Sequence, residues 1–185
     1  MRVQTLLQRQ GNRNMDTQTL NIDTIGFFLL HRLPNQSEQP GYIGALFVTD
    51  SEGIPLEFKC TEAIRPTPVQ QSLYGEKMEP YIAIKLFALP LLRVITNKPR
   101  ILFVNEQSFL KIREEKEVPT LFIQQADNNI TEVEQSPIIL MPHPKYEADK
   151  NNEHIRESCH FNLTEPFDRI KRAVAILGEK DERFR

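Results

Sequence analysis

Apolar and polar positions change period several times along the chain, and each change marks an element. In residues 25–33, Ile25, Phe27, Leu29 and His31 share one side and Gly26, Phe28, Leu30 and Arg32 the other, so the first six positions carry no polar side chain on either face. A strand apolar on both sides reads as an interior strand. Residues 34–40 form a polar loop with a proline at each end. Residues 42–49 repeat the doubly apolar pattern, and Asp50-Ser51-Glu52-Gly53 reads as a turn. Residues 54–61 then alternate, with Ile54, Leu56, Phe58 and Cys60 inward and Pro55, Glu57, Lys59 and Thr61 outward. Pro55 has no N–H to donate, which suits an edge strand or a strand start. The second and third strands therefore form a hairpin.

Helical signals follow. Thr67 is placed to cap a helix and Pro68 to open it, because the first helical N–H has no intrahelical partner. This helix should run to about Tyr74 and end at Gly75. Glu79-Pro80 starts a second helix, with Ile82, Leu86, Leu89 and Arg93 on one face; Pro90 must kink or split it. Residues 100–104 are a short apolar interior strand, and 106–117 a helix with Phe109, Leu110 and Ile112 facing in, stopped by Pro119. Residues 120–124, a short stretch at 130–133 and residues 137–141 read as strands. A loop leads to a short helix near 153–158. In the last helix Thr164 caps, Pro166 sits in the first turn, Phe167, Ile170, Val174 and Leu177 recur at helical spacing, and Gly178 ends the helix.

The element order is β-β-β-α-β-α-β with further elements after it. The fold class that follows is α/β: a mixed sheet opening with a three-stranded antiparallel meander, then alternating helices and strands, then a C-terminal amphipathic helix. This opening order resembles the ribonuclease H topology, a resemblance of element order with no motif behind it. Fold order does not carry function.

Composition narrows the classes. The chain has 185 residues, 23 Lys+Arg against 25 Asp+Glu, and 39% hydrophobic residues, enough for one sizeable core. The near-neutral balance argues against coating nucleic acid by charge alone. Cys60 and Cys159, without a secretory signal, read as two thiols in a cytoplasmic protein. No apolar run reaches the ~20 residues that cross a bilayer, so no membrane is expected. Residues 1–21 read as a mobile basic extension, bearing Arg2, Arg9 and Arg13 before the first acid, Asp16. A transit peptide is the other reading of that start, but the serines and sustained apolar face it needs are missing. Residues 22–178 form the single domain and 179–185 a charged tail.

On a ribonuclease-H-like sheet, a metal nuclease needs carboxylates converging on Mg²⁺, one of them within the first strand. Here that strand carries only His31 and Arg32 as ionisable groups, while Glu79 and Glu106 could occupy two other positions. His143, His154, Cys159 and His160 do not match a zinc spacing. There is no nucleophile elbow and no glycine-rich phosphate loop. No catalytic residue, metal ligand or cofactor is expected.

What remains is a surface. Residues 61–81 place Arg65, Gln70, Gln71, Tyr74 and Tyr81 on or beside a helical connector, and Arg and Tyr are favoured at interfaces. A helix start beside Arg65 also suits an anion or a phosphate. The expected function is a non-enzymatic binding module: a small subunit or adaptor whose partner is another protein subunit, with nucleic acid as a contact that partner could bring. The alternative is a metal-dependent nuclease or nucleic-acid-processing domain on the same sheet.

Overall fold

The two doubly apolar segments lie at the heart of the sheet. In the computed structural model, which describes residues 24–36, 39–125, 138–151 and 159–184, β1 (Ile25–Gln36) pairs antiparallel with β2 (Gln39–Thr49), from Ile25 opposite Thr49 to Leu33 opposite Gly41. β3 (Pro55–Cys60) continues the meander outside β2. On the other side of β1, β4 (Ile101–Val104) runs parallel to it and β5 (Thr120–Gln125) parallel to β4; β6 (Ile138–Pro142) closes the sheet antiparallel to β5. The order is β3-β2-β1-β4-β5-β6, a six-stranded mixed sheet with the meander at its start, as the element order implied.

Both faces of the sheet are covered. Phe28, Leu30, Leu46, Val48, Leu102 and Val104 pack under the crossover between β3 and β4. Ile25, Phe27, Leu29, Ile43, Phe47 and Phe103 pack under the last helix, α5 (Glu165–Lys180), through its Phe167, Ile170 and Val174. β1, β2 and β4 are buried on both sides for this reason.

The crossover holds α1 (Pro68–Tyr74), a 3₁₀ turn at Gly75–Lys77, α2 (Met78–Tyr81), a π-helical stretch at Ile82–Ala88, and α3 (Leu89–Val94). Pro90 neither breaks the path nor leaves it regular. The Leu89 N–H reaches back five residues to Ile84 O, so the register shifts beside the one residue that has no N–H to keep step. Phe87 on this stretch comes so close to the sheet that a Cβ on Gly44 would lie 2.3 Å from the Phe87 Cβ. Only glycine allows that approach.

Several sequence expectations shift. The loop at 34–40 is shorter than expected, because Gln36 still pairs with Gln39 after a register shift past Leu33; donorless Pro34 lies in the shifted stretch. On β3, Phe58 and Cys60 pack inward, but Ile54 and Leu56 overhang the core and are exposed. The expected helix at 106–117 is a 3₁₀ turn (Gln107–Lys111) followed by one α turn, α4 (Ile112–Glu115), although Phe109, Leu110 and Ile112 are buried as expected. Thr164 does not cap α5 with its side chain; the Asn162 side-chain Oδ1 accepts from both the N–H and the hydroxyl of Thr164. α5 also continues past Gly178, where a Cβ would meet Phe184 O at 2.9 Å. The missing side chain leaves room for residues 182–184 to turn back, where Arg183 O accepts from the Ala63 N–H at 2.8 Å. The expected strand at 130–133, the helix near 153–158 and the basic extension lie outside the described residues.

Candidate functional site

Two arrangements stand out on the crossover side of the sheet, and α2 contributes to both. The first begins with parity along β1. Phe28, Leu30 and Arg32 alternate onto the crossover side, so Arg32 continues an apolar row beyond the core. The register Phe28–Val104 places Glu106 just past the carboxyl end of β4, beside the row that Arg32 extends. α2 delivers Glu79 from above.

The Arg32 guanidinium joins all three elements. Its Nη1 and Nη2 donate to the two oxygens of Glu106 at 2.9 and 2.8 Å, its Nε donates to Glu79 Oε2 at 3.2 Å, and Nη2 also donates to Glu79 Oε1. Glu106 and then Glu79 hold the guanidinium more firmly in its charged form, against the opposing effect of burial. Tyr42, opposite Arg32 in the β1–β2 register, is buried beside them. Burial, then the Glu79 charge, pushes its hydroxyl pKa up, with Arg32 partly offsetting the shift.

This geometry has a chemical consequence. A guanidinium accepts no hydrogen bond and keeps its proton, so Arg32 is neither a base nor a metal ligand. Each of the four carboxylate oxygens already faces it. Where a ribonuclease-H-like metal site needs an acid in the first strand, this chain has the cation. A divalent ion taking several oxygen ligands would have to displace Arg32, so the residues present do not fit one. Among the described residues no group of three or more His, Cys, Asp and Glu side chains could hold a metal.

The other candidates from the sequence are dispersed. His31 lies on the opposite face, where burial and then the Lys171 charge hold its imidazole below the ordinary value. His143 Nδ1 accepts from the Lys145 N–H at 3.2 Å, and His160 lies near Glu52. His154 lies outside the described residues. Burial pushes the Cys60 thiol up and the Cys159 thiol to about 11, leaving both protonated near neutral pH.

The second arrangement is the surface built by α1 and α2. Thr67 and Gln70 form a reciprocal cap: Thr67 Oγ1 accepts from the Gln70 N–H at 3.3 Å, and Gln70 Oε1 accepts from the Thr67 N–H at 2.9 Å. The cap starts α1, yet the helix buries no residue. Tyr74 and Tyr81, 44% and 41% exposed, come together across the intervening 3₁₀ turn with ring centroids 5.2 Å apart. With Ile64, Pro66, Gln70, Met78, Ile82 and Leu86 they line a groove of about 80 Å³.

Of the five residues expected at a surface, three therefore share this groove: Gln70, Tyr74 and Tyr81. Gln71 lies on the far side of α1, donating to Pro66 O at 3.0 Å and facing a polar cavity of about 550 Å³ that Tyr42 and Glu79 also line. Arg65 is a strut: its Nη1 donates to Gln39 O at 3.2 Å and to Pro34 O at 3.5 Å, which ties the β1–β2 end to the crossover. Sequence reasoning missed Val69 and Leu73, which stand 68% and 79% exposed on α1. Their four-residue spacing was the available signal.

No family model matches this sequence, and no curated protein matches it. Among solved structures, the chain is similar to endonuclease V from Bacillus subtilis at 14% identity, with 65% of this chain and 52% of that one covered and a TM-score of 0.45. It is also similar to endonuclease V from Ciona intestinalis in complex with a 24mer DNA containing an inosine followed by a ribo-adenosine. That match has 12% identity, 82% and 55% coverage and a TM-score of 0.40. A variant of the same enzyme with a 23mer DNA gives 15% identity, 60% and 48% coverage and a TM-score of 0.39. The chain thus spans about half the length of each structure it matches.

Proposed function

We propose that this chain is a non-enzymatic binding module, a small subunit or adaptor that docks on another protein subunit through the α1–α2 surface. The observation that carries this reading is α1 itself. A helix with a complete cap and no buried residue turns Val69, Leu73 and Tyr74 outward, and contiguous exposed apolar side chains mark interaction sites. Tyr74 and Tyr81 supply the large amphipathic anchors that dominate binding energy at such sites. Purification from the native host tests the reading. Tyr74→Ala should weaken retention of the partner while the thermal unfolding midpoint stays put, because Tyr74 is half out in solvent. Undiminished retention removes the surface.

A second reading is favoured by one observation: Glu79 and Glu106 converge on Arg32 just past the carboxyl end of β4, where open α/β sheets place their ligands. On that reading the chain is a metal-dependent nuclease or nucleic-acid-processing domain, and Arg32 must leave the carboxylates for an ion to enter. Saturable Mn²⁺ or Mg²⁺ binding by the full chain, lost in Glu79→Gln or Glu106→Gln, would favour it. The binding-module reading expects neither metal binding nor turnover.

A further inference from the structure

We propose that the partner of the α1–α2 surface is a second copy of this chain, so that the protein forms a two-fold dimer through this face. The inference rests on the binding-module reading and names the occupant. The face carries both a ridge and a receptor. Val69 and Leu73 form the ridge, and the neighbouring row on α1, Gln70 and Tyr74, walls the groove with Tyr81 and Leu86. A two-fold contact needs both on one surface, since whatever one copy inserts the other must receive.

Charge points the same way. Near a two-fold axis each side chain lies close to its own image, so a formal charge there would face a like charge. Neither the ridge nor any residue lining the groove is charged. Charges stand just outside: Glu76 and Lys77 follow α1, and Lys85 pairs with Glu115 at 2.6 Å. Both signs occur there, so a rim of this kind can meet itself without net repulsion.

The size also suits. Val69, Leu73, Tyr74, Tyr81 and Leu86 are 68%, 79%, 44%, 41% and 38% exposed, on the order of 500 Å² per copy with the tyrosine hydroxyls included. Two copies would bury about 1,000 Å² from these side chains alone, and the polar rim brings the total into the range of roughly 1,200–2,000 Å² found for specific interfaces.

Sedimentation velocity on the full chain across the micromolar range is the test. The expected result is a species of twice the 21.5 kDa chain mass. Leu73→Asp should give a monomer with an unchanged circular dichroism spectrum and thermal midpoint, because it drives a carboxylate into the apolar groove of the other copy without touching the core. Tyr74→Ala should raise the dimer dissociation constant by about tenfold or more. A wild-type chain that remains monomeric overturns the proposal, as does a dimer that both variants leave intact. The underlying reading is scored separately: a monomer that loses a co-purifying protein on Tyr74→Ala removes the second copy but keeps the surface, whereas a monomer that loses nothing removes both.

Discussion

The ion cluster and the tyrosine groove share α2 yet treat their functional groups in opposite ways. At the cluster, Arg32 spends its fork on both oxygens of Glu79 and of Glu106, while the neighbouring Asn105 Oδ1 is buried without a partner. At the groove, the chain leaves large apolar groups to water: Leu73 is 79% exposed, and Tyr74 and Tyr81 stand half out of the surface. The difference is one of satisfaction: the cluster ties β1, α2 and the end of β4 together, whereas the groove leaves apolar area exposed, which is what the proposed docking surface would use.

The largest test removes the scaffold common to both regions. Gly44→Ala drives a Cβ into Phe87 beneath the crossover, and should cost about 3 kcal/mol in denaturant unfolding while loosening cluster and groove together. An unchanged midpoint would mean that the crossover is not held against β2 as described. Next is Arg32→Ala, which leaves two carboxylates facing each other. The side chains of the cluster are partly exposed, so the expected loss is about 1–2 kcal/mol, largely recovered when Glu79→Gln is added. A variant as stable as the wild type would show that the cluster does no structural work.

Acid titration separates a third polar anchor from both regions. Glu57 on β3 accepts from the Asn97 N–H at 2.8 Å and the Thr96 N–H at 2.9 Å, and so fixes the turn that leaves the crossover. The Asn97 backbone first, with Thr96, the Asn97 side chain and Lys59, holds its carboxyl down from 4.5 to about 2. The folded-state pKa is depressed, so this anchor stabilises fully above pH 4.5 and loses that contribution as the pH falls towards 2. Glu57→Gln should be less stable at neutral pH, and its thermal midpoint should fall less than that of the wild type across this window. Parallel curves would contradict the anchor. The smallest effect on stability belongs to Leu73→Asp, within about 0.5 kcal/mol of wild type, because the side chain lies outside the core.

Much of this contrast was legible in the sequence, and the illegible parts have physical causes. The doubly apolar strands and the Asp50–Gly53 turn are local patterns, and they place β1, β2 and β3 in the meander. Glu79 and Glu106 stood out in the sequence only as acids that could occupy two positions of a metal site; their closure on Arg32 depends on the β1–β4 register, which no local pattern encodes. Tyr74 and Tyr81 meet only because a 3₁₀ turn resets the path between α1 and α2. A uniform helical period carries no trace of that turn, nor of the π-helical stretch before Pro90. Arg65 read as a binding residue because its side chain is long and charged; its engagement with Pro34 and Gln39 arises from chain segments about thirty residues away.

Arg32 closes the Glu79–Glu106 carboxylates against a divalent ion. Calorimetric titration of the 185-residue chain with MnCl₂ tests this most directly. The account predicts no saturable heat and the same flat trace from Glu79→Gln and Glu106→Gln. A saturable Mn²⁺ site in the wild type that either substitution abolishes would contradict it.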